Sequence, residues 1–130
     1  MTTYLLDTTV LVDYFRGRQH ADTFLEHAVS EGHALALCSI SVAELFSGLP
    51  ERQRPPAREL IDSVNYLEVP PEVAQLAGTI RFDAARKGIT IHLPDAIVAA
   101  VAIANDATLV TANVRDFPME ELQLLELPSS

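Results

Sequence analysis

Tyr4-Leu5-Leu6-Asp7-Thr8-Thr9-Val10-Leu11-Val12 sets the architecture of this 130-residue chain. A short apolar run that reads as a strand ends on Asp7, and two threonines lead directly into Val10, Leu11, Tyr14 and Phe15, which recur at helical spacing. Gly17 is placed to end that helix in a left-handed cap. A carboxylate therefore stands where a strand hands over to a helix, the edge at which open α/β sheets bind their ligands. If that edge is a site, acids distant in sequence must return to it.

Downstream, strands and helices alternate. Ala21, Phe24, Leu25 and Ala28 mark a second helix closed by Gly32, and Ala34 to Cys38 reads as a second buried strand. Ser41-Val42-Ala43-Glu44 has the S-x-x-E form of a capping box opening a helix that runs to Gly48-Leu49-Pro50. A polar turn through Pro55-Pro56 leads to a helix with Leu60, Ile61 and Val64 on one face, followed by a strand over Tyr66 to Val69. Pro70-Pro71 fits the entry to a helix whose buried stripe is Val73, Leu76, Ala77, Ile80 and Ala84, with Gly88 as its stop. Leu93-Pro94-Asp95 opens the most apolar helix, to about Asn105, whose alanines permit close packing. Leu109-Val110 is a fourth strand, Thr111 to Phe117 a loop, and Gln123 to Leu127 a last strand. Strands separated by helices imply a mostly parallel sheet covered on both faces.

Length and a 48% hydrophobic content suit one domain over residues 1–130, with one core. The apolar run Ala96 to Ala104 falls far short of the roughly 20 residues of a membrane span, and no basic-then-apolar leader is present, so a cytoplasmic protein without a membrane partner is expected. The lone Cys38 lies among Leu35, Ala36, Leu37 and Ile40, as a buried reduced thiol would, which leaves no disulfide or cysteine zinc site. A formal charge of −9 argues against broad nonspecific binding to nucleic acid. It leaves room for local basic surfaces such as Arg52, Arg54 and Arg58, or Arg81, Arg86 and Lys87, whose plain reading is solvated helix faces.

Topology brings four acids to one rim. Asp7 and Asp116 follow parallel strands, while Glu44 and Asp95 lie near the starts of helices that leave the same edge. Each has a plainer reading: Asp7 as a helix cap, Glu44 in a capping box, Asp95 beside a helix macrodipole, Asp116 as a loop acid. Two carboxylates about 4 Å apart repel by roughly 4 kcal/mol at an effective dielectric near 20, so a cluster of them requires compensation. Oxygen ligands without cysteine or paired histidines favour Mg²⁺ or Mn²⁺, and such an ion suits phosphodiester hydrolysis. Thr111 and Asn113 are candidates for orienting water or substrate, against plain turn chemistry.

Together Leu5-Leu6-Asp7-Thr8-Thr9-Val10-Leu11-Val12, Ser41-Val42-Ala43-Glu44-Leu45, Pro94-Asp95-Ala96-Ile97-Val98-Ala99-Ala100 and Leu109 to Phe117 resemble the four motifs of PIN-domain nucleases, most closely the VapC toxin branch. The resemblance implies a three-layer, Rossmann-like α/β/α sandwich around a central, mostly parallel sheet of four to five strands. It implies a Mg²⁺- or Mn²⁺-dependent endoribonuclease toxin with Asp7, Glu44, Asp95 and Asp116 as metal and catalytic residues. It also implies an RNA substrate, a homodimer and a VapB-like antitoxin whose helix packs on the toxin. Thr9 stands where many relatives have asparagine, and Asn113 where many have aspartate, so either Asp116 or Asn113 occupies the fourth site position.

Three rival readings make different demands. A housekeeping PIN nuclease for RNA processing would share every motif. A phosphoacceptor signalling module would need an acid pair after the first strand and a lysine after a late one; Asp7-Thr8 and Lys87 supply neither. A non-catalytic Mg²⁺-binding or interaction domain has no need to fill all four acidic positions.

Overall fold

The computed structural model describes residues 1–128. In chain order the elements are β1 (Thr3–Leu6), α1 (Thr8–Phe15), α2 (Gln19–Ser30), β2 (Ala34–Cys38), α3 (Ser39–Ser47), α4 (Arg54–Ser63), β3 (Asn65–Leu67), α5 (Pro71–Arg86), α6 (Leu93–Ala104), β4 (Thr108–Thr111) and β5 (Gln123–Glu126). Short 3₁₀ turns at Glu51–Gln53 and Val114–Asp116 join them. The five strands form one sheet in the order β3-β2-β1-β4-β5, and every pairing is parallel. The chain winds outward from β1 in one direction through β2 and β3, then crosses to β4 and β5 on the other side. The topological switch point therefore lies between β1 and β4, whose carboxyl ends splay into the usual ligand crevice.

The strand period of two builds the layers. On β1, Leu5 points to one face and Leu6 to the other, and both are fully buried. Leu5 packs with Ala36, Cys38 and Leu109 under α5 and α6. Leu6, Leu35, Leu37 and Val110 pack under α1 to α4 on the opposite face. Helix α6 has Ala96, Ala99, Ala100 and Ala102 at zero exposure, which lets its backbone lie close against its neighbours. Leu109 is likewise fully buried, and truncating such a side chain to alanine costs about 2 to 5 kcal/mol.

Helix ends explain how each segment returns to the sheet. After α2, Gly32 adopts φ +82°, and its N–H bonds to Val29 while His33 N–H bonds to Ala28, each at 3.0 Å. This is a Schellman closure, which a side chain at Gly32 would strain. The same pairing recurs at Gly88 after α5.

Several sequence expectations need correction. No capping box forms at Ser41 and Glu44. Helix α3 begins two residues earlier, at Ser39, directly after β2 and without a side-chain cap. Ser41 is instead buried within the first turn, 3.8 Å from Cys38 Sγ. Pro55 and Pro56 lie inside the first turn of α4, where the missing N–H groups have no intrahelical role to lose. Strand β3 is shifted back to Asn65–Leu67, because its register is fixed by pairing with β2 at Ala36, Leu37 and Cys38. Among the described residues, no helix is long and apolar enough to cross a membrane.

Candidate functional site

Asp7 is the floor of the site. Its backbone N–H continues the ladder by donating to Val110 O at 2.9 Å, and the residue is only 6% exposed. It occupies the cap position of α1 in extended conformation, yet its side chain makes no capping bond. The carboxylate is used elsewhere: Oδ2 accepts from Thr111 Oγ1 at 2.8 Å and from Thr9 Oγ1 at 3.1 Å. Those hydroxyls are themselves aimed by backbone, since Ala112 N–H donates to Thr9 Oγ1 and Asn113 N–H to Thr111 Oγ1, each at 3.0 Å.

Glu44 lies in the second turn of α3, exposed, and its Oε1 accepts a 2.7 Å hydrogen bond from Thr8 Oγ1. Asp95 is in the first turn of α6 and half-buried. Asp116 ends the 3₁₀ turn after β4, exposed, with the neighbouring Phe117 anchoring that loop in the core.

Electrostatics links the four. Asp95 is pushed up from 3.8 to about 6, first by burial and then by the negative charges of Asp116, Asp7 and Glu44, with His92 pulling the other way. Acids from four separate segments thus feel one another at the switch point. Among the described residues no lysine or arginine pairs with any of the four; the ion pairs are His20 with Asp13 at 3.2 Å and His27 with Glu31 at 3.1 Å. Among those residues, no three acidic, histidine or cysteine side chains are gathered closely enough to hold an ion as they stand. The donor set itself, hard oxygens around a deficit of positive charge, fits Mg²⁺ or Mn²⁺.

Thr111 does not fit the substrate-orienting role expected of it. It is fully buried and its single proton is committed to Asp7. Asn113 is exposed at the rim and remains available for that role. Sequence reading missed Thr8 and Thr9, which it treated as helix-start residues. The usable signal was two hydroxyls immediately after a strand-end acid.

A separate open groove of about 800 Å³ lies between α2, α4 and the edges of β2 and β3, away from the acids, with Tyr14, Leu25, Val29, Leu35, Leu60 and Val64 among its walls. Tyr14, Phe15 and Phe24 pack against the apolar core on this side of the sheet, as expected of the aromatic first helices.

Comparison with known proteins gives consistent matches over nearly the whole chain. The PIN domain model matches residues 4–118. The chain is 32% identical over 117 residues to ribonuclease VapC19 of Mycobacterium tuberculosis, covering 88% of this chain and 92% of that protein. It is 33% identical to ribonuclease VapC10 of the same species, covering 90% of this chain and 87% of the relative. Among solved structures, VapBC2 from Rickettsia felis bound to a promoter DNA fragment matches with a TM-score of 0.83 at 24% identity, over 96% of this chain and 98% of that one. A toxin–antitoxin complex from Klebsiella pneumoniae matches with a TM-score of 0.77 at 26% identity, over 94% and 95% of the two chains.

Proposed function

The chain belongs to the PIN-domain family of nucleases, and on that premise we propose that it is a Mg²⁺- or Mn²⁺-dependent endoribonuclease, the toxin of a VapBC-type toxin–antitoxin module. The observation that carries this reading is the elevated Asp95, whose three perturbing acids come from distant segments and meet at the β1–β4 switch point. A pocket that gathers negative charge, with no lysine or arginine paired to it among the described residues, is suited to a divalent ion and a phosphate.

In this reading Asp7, Glu44 and Asp95 hold the ion, with Asp116 completing the set. The bound ion supplies Lewis acidity and charge neutralisation for attack of water on an RNA phosphodiester. Asp7 offers a fixed carboxylate, because its rotation is set by two hydroxyls. Burial and three acidic neighbours raise Asp95 to about 6, so its carboxylate is the one an entering positive charge would stabilise most. Glu44, held by Thr8 Oγ1 at 2.7 Å, and Asp116 would face the ion from the exposed rim. Asn113 presents an amide at the mouth for water or substrate.

The groove between α2 and α4 is where we place the helix of a VapB-like antitoxin, since Leu25, Val29, Leu35, Leu60 and Val64 give it an apolar floor, Asp22 and Glu26 stand on its wall, and Val29 is 61% exposed. A second apolar patch, at Phe82, Ile89 and Leu93, suits a homodimer contact. Residues 1–130 act as one nuclease unit in the cytoplasm.

The test is cleavage of RNA by purified protein with Mg²⁺ or Mn²⁺ and with excess chelator. Cleavage that requires the cation is expected. Equal cleavage in chelator would overturn the metal-dependent reading.

A further inference from the structure

We propose that Thr9 is a positioning residue of the acidic site: together with Thr111 it fixes the rotation of the Asp7 carboxylate, so that Oδ2 faces the protein and Oδ1 faces the pocket. The inference rests on the nuclease reading above.

Three polar atoms surround the Thr9 hydroxyl: Asp7 Oδ2 at 3.1 Å, Ala112 N at 3.0 Å and Thr111 Oγ1 at 3.4 Å. A hydroxyl has one proton to give. Ala112 N–H is a donor, so Thr9 Oγ1 accepts there. Thr111 already gives its own proton to Asp7 at 2.8 Å. The Thr9 proton therefore goes to the carboxylate, which as an anion only accepts.

Both hydroxyls land on the same carboxylate oxygen. Oδ1 accepts no hydrogen bond from the described residues, yet among those residues no buried side-chain oxygen or nitrogen lacks a partner. Oδ1 is accordingly the oxygen that reaches solvent. Two donors on one oxygen, each aimed by a backbone N–H of the loop after β4, over-determine the rotation of the carboxylate. Fixing a ligand carboxylate by outer hydrogen bonds is a recurrent way to raise metal affinity.

The plainer account makes Thr9 a helix-start residue or a staple between two strand ends. A helix-start role would place its hydroxyl on amides of α1, whereas its partners are Asp7 and, more than a hundred positions away, Ala112. A pure staple would leave ion binding untouched. That difference is measurable.

Mn²⁺ binding, followed by the loss of the free-ion electron paramagnetic resonance signal without RNA, is compared for wild type, Thr9→Val and Thr9→Ser, alongside melting in chelator and RNA cleavage. Thr9→Val is expected to bind Mn²⁺ about tenfold more weakly, with kcat reduced and KM for RNA little changed. Thr9→Ser, which keeps the hydroxyl, is expected to bind like wild type. If Thr9→Val does not fold, Thr9→Ala carries the same comparison, because the smaller side chain lets water reach Ala112 N–H. Wild-type affinity in the hydroxyl-free variant overturns the inference, as does equal impairment of Thr9→Ser. Wild-type protein that neither binds Mn²⁺ nor cleaves RNA overturns the nuclease reading, and this inference with it.

Discussion

Thr8 Oγ1 donates a 2.7 Å hydrogen bond to Glu44 Oε1, tying the first turn of α1 to the second turn of α3. Two successive threonines thus serve two different acids: Thr8 holds Glu44 and Thr9 holds Asp7. The hydroxyls follow the strand end directly, so the turn that starts α1 also sets the near side of the acidic pocket.

Glu44→Gln tests that arrangement without a stability complication. Because α3 carries no side-chain cap, the substitution removes charge and no capping bond. Its melting temperature is expected to stay within about 3 °C of wild type, while RNA cleavage falls about a hundredfold. Thr8→Val releases Glu44 but leaves its charge in place, and the bond is exposed, so a several-fold loss of cleavage with an unchanged melt is expected. A melt lowered as strongly as by loss of a cap would show that Glu44 supports α3 after all.

Asp95 gives a pH dependence with a definite sign. Its carboxyl titrates near 3.8 when unperturbed and near 6 in the folded protein. Between these values the folded chain binds the proton that the unfolded chain has released, so stability falls as pH rises through that window. The contribution is complete below about 3.8 and gone above about 6. Solvent screens part of it, because Asp95 is only half-buried. Melting in chelator from pH 4 to 7 should therefore decline, and Mg²⁺ should restore stability most at the upper end. Asp95→Asn should abolish cleavage, flatten the decline and melt above wild type at pH 7 in chelator. An active Asp95→Asn protein would sink the proposed mechanism.

The parallel sheet, the helix faces and the edge that the four acids approach were legible in the sequence, for a physical reason. A strand period of two and a helix period of 3.6 determine which face is apolar, and right-handed crossovers determine which edge receives each helix start. What escaped was local. Ser41 and Glu44 have capping-box spacing, but β2 hands over to α3 without a loop, so Ser41 falls inside the helix and under the core. Thr111 read as a residue orienting water or substrate, or as plain turn chemistry, because its partner, Asp7, is about a hundred residues away. Hydroxyl partners depend on ångström-scale register between β1 and β4, which no periodicity encodes.

Asp116 should matter less than Asp95. It is exposed on a 3₁₀ turn, so solvent screens its charge more than that of the half-buried Asp95. Asp116→Asn is expected to lower cleavage about tenfold, with Mn²⁺ binding weakened but retained. Complete inactivation with an unchanged melt would make it an indispensable ligand. The companion change Asn113→Asp adds a rim carboxylate and should strengthen Mn²⁺ binding; weaker binding would show that Asn113 does not face the ion.

The apolar groove should be separable from the chemistry. Its walls include none of Asp7, Glu44, Asp95 and Asp116, and Val29 on α2 is 61% exposed. Val29→Glu places a charge on a surface proposed to receive the apolar face of an antitoxin helix, and desolvating that charge opposes docking. The variant should fold and cleave RNA like wild type, because Val29 contributes little to the core. Its affinity for the cognate antitoxin should fall about tenfold or more, as expected for a buried unpaired charge at an interface. In cells, co-expressed antitoxin should rescue growth from the wild-type protein and fail to rescue it from Val29→Glu. Equal rescue of both would move the docking surface elsewhere, and loss of cleavage in Val29→Glu would show that groove and acidic pocket are coupled.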